Sequence, residues 1–183
     1  MAQRKIDVVL DSVKRLIRIG ATANLVNLLQ KQHPADLAQV FSEVGEKDRA
    51  IAFSLLVDRN SKLAMEALSE LGPEDGARLL ADRPPEDLAR LLQDLPSDDV
   101  AAILEYLPEE GRLAVLALIE KRPGVEVGEL LDYPEQTAGR IMNPKVFALS
   151  EDVTVGESIT TLQGARDVEM VFYLYVVDRK SVV

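Results

Sequence analysis

The sequence predicts a mainly all-α protein: a superhelical, α-solenoid-like array of short helices, followed by a truncated α/β segment. Three observations point there. Pro73, Pro85, Pro96 and Pro108 recur at intervals of 12, 11 and 12 residues, each followed by carboxylates and then by paired apolar residues. Ahead of them, apolar residues fall at the three-and-four spacing of amphipathic helices. Beyond Asn143-Pro144 the chain changes to short runs rich in β-branched and aromatic residues.

Taken in order, residues 4–19 place Ile6, Val9, Leu10, Val13, Leu16 and Ile17 on one stripe, with Arg4, Lys5, Lys14, Arg15 and Arg18 off it. This predicts a basic amphipathic helix that packs its stripe on the next one, closed by Gly20 as a C-terminal cap. Residues 1–31 form this basic helical region. An early relative of the repeat begins at Pro34, with Asp36-Leu37-Ala38 in the matching places. His33, just before it, is expected to make a local capping or packing contact, since no nucleophile motif or acid partner accompanies it.

The repeat units read Pro73-Glu74-Asp75-Gly76-Ala77-Arg78-Leu79-Leu80, Pro85-Glu86-Asp87-Leu88-Ala89-Arg90-Leu91-Leu92, Pro96-Ser97-Asp98-Asp99-Val100-Ala101-Ala102-Ile103-Leu104 and Pro108-Glu109-Glu110-Gly111-Arg112-Leu113-Ala114-Val115-Leu116. Proline suits the first helical turn, where its missing N–H costs nothing, and the carboxylates behind it favour the positive end of the helix dipole. Helices this short are not stable alone, so the leucine faces must be buried against neighbours.

The pattern weakens at the breaker cluster Lys121-Arg122-Pro123-Gly124 and resumes at 127–131. The helical repeat is assigned to 1–131 and a linker to 132–141. There Tyr133 is expected to anchor the linker on the last helix, and Gly139 to supply a flexible or left-handed position. In 142–183, residues 146–149 and 171–177 read as strands and 155–164 as a helix with Ile159 and Leu162 inward. A turn at Asp178-Arg179-Lys180 opens another strand at 181–183, an unfinished hairpin expected of a fragment.

Composition limits the chemistry. The chain has no cysteine and one histidine, which excludes disulfides, thiolate sites and multi-histidine zinc or iron sites within it, so a bound metal would be held by oxygen, as Mg²⁺ and Ca²⁺ are. Neither the longest apolar runs nor the N-terminus reads as a membrane span or a secretory signal, which predicts a soluble fragment. Of the net charge of −10, the segment 66–136 holds eighteen acidic and six basic residues, and 1–31 six basic and two acidic. The acidic segment repels nucleic acid and attracts cations. With no phosphate loop, catalytic carboxylate frame or Ser-His-Asp set, the chain reads as a non-enzyme with no catalytic residue and no organic cofactor.

The string Tyr133-Pro134-Glu135-Gln136-Thr137-Ala138-Gly139 after the repeat, and the early His33-Pro34-Ala35-Asp36, resemble the MgtE family of magnesium transporters. The tail from Met142-Asn143-Pro144 through Tyr175-Val176-Val177-Asp178 resembles the first half of a CBS domain. The resemblance implies an MgtE N domain over 1–131 and a partial first CBS domain over 142–183. It further implies a homodimer on the cytoplasmic side of the cell membrane, with the rest of the CBS pair and a transmembrane domain as partners. Its regulatory ion is Mg²⁺, bound between acidic faces of the N and CBS domains and holding the pore closed.

In that family an acidic residue near the start of the Pro96 helix is joined by another four positions later, where this chain has Ala102. The metal candidates are therefore Asp94, Asp98 and Asp99, and the helix dipole accounts for the last two equally well. Asp87 has the same explanation. Phe172, Tyr173 and Tyr175 read as strand positions and not as a base-stacking platform. A second resemblance, to the N-terminal domain of the flagellar motor switch protein FliG, implies a protein-interaction scaffold instead.

Overall fold

A computed structural model describes residues 2–93, 95–119, 127–134, 136–143, 146–165 and 173–178. The chain divides into two units, Met1–Met142 and Asn143–Val183. Among the described residues no helix is long and apolar enough to cross a membrane.

In the first unit, α1 (Ala2–Arg18) buries Ile6, Val9, Leu10 and Val13. It ends at Gly20, whose φ is +69°, where Ala21 N–H donates to Leu16 O and Gly20 N–H to Ile17 O. That pair of bonds is the Schellman cap, and glycine reaches the required left-handed conformation without penalty. Next come α2 (Thr22–Leu29) and α3 (Pro34–Glu43). His33 is the N-cap of α3, its Nδ1 accepting from Ala35 N–H at 3.3 Å, so the imidazole has the local capping contact the sequence predicts.

Asn60 separates α4 (Glu46–Arg59) from α5 (Ser61–Leu71) and caps α5 by accepting from Leu63 N–H. Helix α1 packs on α2, α3 and α4, and α3 and α4 pack on α5. Phe41 and Phe53, both fully buried, meet edge to face at 6.2 Å between ring centroids, a favoured aromatic geometry.

The proline units become α6 (Pro73–Leu80), α7 (Pro85–Leu92), α8 (Ser97–Glu105) and α9 (Glu109–Ile119). Pro73 and Pro85 occupy the first helical turn. Pro96 sits one place earlier, as the N-cap of α8, and Pro108 just ahead of α9. From α5 to α8 each helix packs on the next but one: α5 on α7, α6 on α8, α7 on α9, and α8 on α10 (Val127–Asp132). This stepped pairing is how short helices share one superhelical core, here built on Leu80, Leu88, Leu91, Leu92, Ile103, Leu104 and Val115.

The breaker cluster 121–124 lies outside the described residues. Within the stretch expected as linker, α11 (Ala138–Ile141) packs on α8 and α10. The first unit therefore reaches Met142.

The second unit pairs β1 (Ala148–Ser150) in parallel with β2 (Tyr175–Val177), Leu149 opposite Val176. Helix α12 (Val155–Gly164) lies between them in the chain, the crossover a parallel pair requires. Thr154 and Glu157 close a full capping box at its start. Ile159 and Leu162, expected inward, are 53% and 37% exposed, and Val155 is 78% exposed: among the described residues, two short strands offer one helix too little surface to bury its apolar side. Phe172, residues 179–180 and the strand expected at 181–183 lie outside the described residues.

Candidate functional site

The first turn of α8 carries Asp98 and Asp99. Its placement follows from Pro96, which stops α7's connection and starts α8, and from Val100, Ala101, Ile103 and Leu104, which bury the opposite face. The two carboxylates open onto a cleft of about 160 Å³ that is also lined by Ala102, Glu105, Arg140 and Ile141. Helix α11 supplies the last two.

Each acidic group has a different setting. Asp99 Oδ2 accepts a hydrogen bond from the Ser69 hydroxyl on α5, which ties α8 to α5 through a charge-assisted contact. Asp98 Oδ1 is buried and has no hydrogen-bond partner. Burial raises the Asp98 carboxyl above the ordinary carboxylate range, and the Asp99 charge pushes the same way. Backbone N–H bonds from residues 98 and 99 oppose both by favouring the charged form. Glu105 Oε1 is paired with Arg140 Nη2, and Arg140 Nη1 donates to Leu130 O at 2.8 Å. The Arg140 side chain is 9% exposed, and its Nε is buried without a partner.

Chemically the cleft offers hard carboxylate oxygens, one of them desolvated and unsatisfied. Such donors fit Mg²⁺, which keeps several waters and is commonly held by only one or two carboxylates. Among the described residues, however, no three histidine, aspartate or glutamate side chains come together as a set that could hold a metal ion alone.

Of the predicted site residues, the structure brings Asp98 and Asp99 to one cleft, while Asp94 lies outside the described residues. Asp87 is instead turned toward Arg90 on its own helix at 3.4 Å. Glu105 and Arg140 were not singled out from the sequence. They lie 35 positions apart, and no local pattern joins the end of one repeat to a helix beyond the next. Gly139 does not take the left-handed conformation, which among the described glycines belongs to Gly20 and Gly72. Its lack of a side chain leaves room for the Tyr133 ring.

A family model described as the MgtE intracellular N domain matches residues 32–136. The magnesium transporter MgtE of Thermus thermophilus is 40% identical over 65 residues, which span 35% of this chain and only 14% of that protein. A crystal structure of the cytosolic domain of the Mg²⁺ channel MgtE in complex with ATP superposes with a TM-score of 0.78 at 33% identity, covering 93% of this chain and 69% of that one. A crystal structure of the soluble part of a magnesium transporter gives 0.72 at 21% identity, covering 95% and 68%. The latter shows a shared fold.

Proposed function

Because the chain belongs to the MgtE intracellular N domain family, we propose that it is the Mg²⁺-responsive regulatory part of a magnesium transporter, lying on the cytosolic side of the membrane. The cleft at the start of α8 contributes Asp98 and Asp99 to an ion whose remaining ligands come from water and from groups that the cleft itself does not supply. The residues 142–183 act as the beginning of a CBS domain that is completed elsewhere in the parent. The parent adds a transmembrane pore and pairs as a homodimer.

The observation that carries this reading is the buried Asp98 oxygen left without a partner in an acidic cleft. A desolvated carboxylate facing a second one is costly, and a divalent cation that screens or bridges them relieves the cost. Any ion bound only by the folded, assembled state stabilises it by mass action, by about 1.4 kcal/mol at ten times its dissociation constant. Fewer ions, or none, loosen whatever the ion joins, and a graded response needs only modest differential affinity.

The test is thermal unfolding with millimolar Mg²⁺ against Na⁺ at matched ionic strength, for this chain and for the chain extended through a complete CBS pair. A rise specific to Mg²⁺, larger in the extended protein and lost in D98N/D99N, is expected. Identical curves in both salts would leave the acidic face as solvated surface and favour the scaffold reading.

A further inference from the structure

The cleft already contains a cation. Arg140 reaches it from α11 and is held there by Glu105 and the Leu130 carbonyl, with its side chain almost wholly buried. Helix α11 is a single turn of four residues, too short to persist without tertiary contacts. Its docking therefore depends on the Arg140 bonds and on the packing of Tyr133 against Gly139.

We propose that Arg140 is the resident counter-ion of the α8 cleft and competes with an incoming divalent cation, so that ion occupancy and the docking of α11 oppose each other. The inference rests on the reading of the cleft as an ion site and adds what sets its threshold. Three observations support it. Arg140 shares one cleft with Asp98 and Asp99. Glu105, its carboxylate partner, lines the same cleft and is still 29% exposed. Arg140 Nε is buried with no acceptor, so the guanidinium is held less completely than its burial would demand.

A positive charge fixed in the cleft lowers the affinity for a dication, and by reciprocity the dication weakens the hold on Arg140.

The experiment measures the Mg²⁺ concentration giving half the Mg²⁺-specific thermal shift, in the wild-type chain, R140Q and R140K, together with amide hydrogen exchange at 139–141. R140Q is expected to fill at about five-fold lower Mg²⁺, the order for one unit charge acting on a dication through aqueous dielectric across a cleft. R140K keeps the charge while losing the forked geometry, and is expected to fall between wild type and R140Q. In the wild type, Mg²⁺ is expected to speed exchange at 139–141.

An unchanged threshold in R140Q, an equal fall in R140K, or slower exchange at 139–141 with Mg²⁺ would overturn the competition while leaving the ion site standing. A wild-type chain with no Mg²⁺-specific shift would remove both.

Discussion

Gly139 lies directly against the ring of Tyr133: a Cβ at position 139 would come within 2.7 Å of the ring's Cγ and Cε1. The contact spans the turn between α10 and α11, where Thr137 Oγ1–H donates to Pro134 O at 2.7 Å. It locks the one-turn helix that carries Arg140.

G139A is therefore expected to destabilise the first unit by about 1–2 kcal/mol, since overpacking outweighs the gain in helix propensity. In a Y133A background the same substitution becomes neutral or stabilising, because the obstacle is gone. A double-mutant cycle in urea checks this, and additive effects would refute the contact.

Two helical glycines should respond to alanine with opposite signs. At Gly76 in α6 a Cβ would lie 2.8 Å from Leu68 Cδ2 and 3.2 Å from Cγ, where α6 crosses α5. At Gly111 in α9 it would meet nothing within 4 Å. G76A is expected to cost about 1–2 kcal/mol through strain in a packed core, and G111A to stabilise by about 0.5–1 kcal/mol through helix propensity. Thermal midpoints of the two variants decide it.

Asp98 sets a pH dependence whose sign is definite. Its carboxyl is raised in the folded state by burial, so the folded protein binds that proton more tightly than the unfolded chain does. Stability contributed by this group therefore falls as pH climbs from the ordinary carboxylate value near ~3.9 through the raised folded value, and stays reduced above it. D98N is expected to raise stability at neutral pH by less than about 1 kcal/mol, solvent screening keeping the effect small, and to show no gain at pH below the ordinary value. Denaturant midpoints at several pH values measure it, and a D98N protein weaker than wild type at neutral pH contradicts it.

The capping box of α12 should be visible locally. Thr154 accepts from Glu157 N–H, and Thr154 N–H donates back to Glu157 at 2.8 Å, which lowers the Glu157 carboxyl below its usual range. T154A is expected to speed amide exchange across 155–158 about five-fold, the usual effect of a lost N-cap. Exchange in α1–α11 should not change. Acidification in the wild type should loosen the same turn as Glu157 protonates, because a depressed carboxyl contributes stability only above its folded value.

The helices of the repeat were legible in the sequence because their signals are local. A proline, two carboxylates and a leucine pair are enough to start a helix and orient its apolar face, and α6 and α7 begin at Pro73 and Pro85. The capping role of His33 and the ending at Gly20 are local for the same reason. The candidate site was legible only in part: Asp98 and Asp99 were named through the family resemblance of the Pro96 repeat, whereas Glu105 and Arg140 carry no short-range signal.

The inward face of α12 was misjudged because periodicity marks which side of a helix is apolar and not whether anything covers it. The sequence by itself determined where the proline-led helices start, that a bound metal would have to be held by oxygen, and the acidic character of the repeat, all properties of residue type and neighbours along the chain. Only the tertiary structure decided that an arginine from α11 enters the aspartate cleft, that one oxygen of Asp98 is buried, and that Gly139 makes room for a tyrosine. Each of these depends on distances between residues far apart in sequence, and those are set by how the whole array of helices packs.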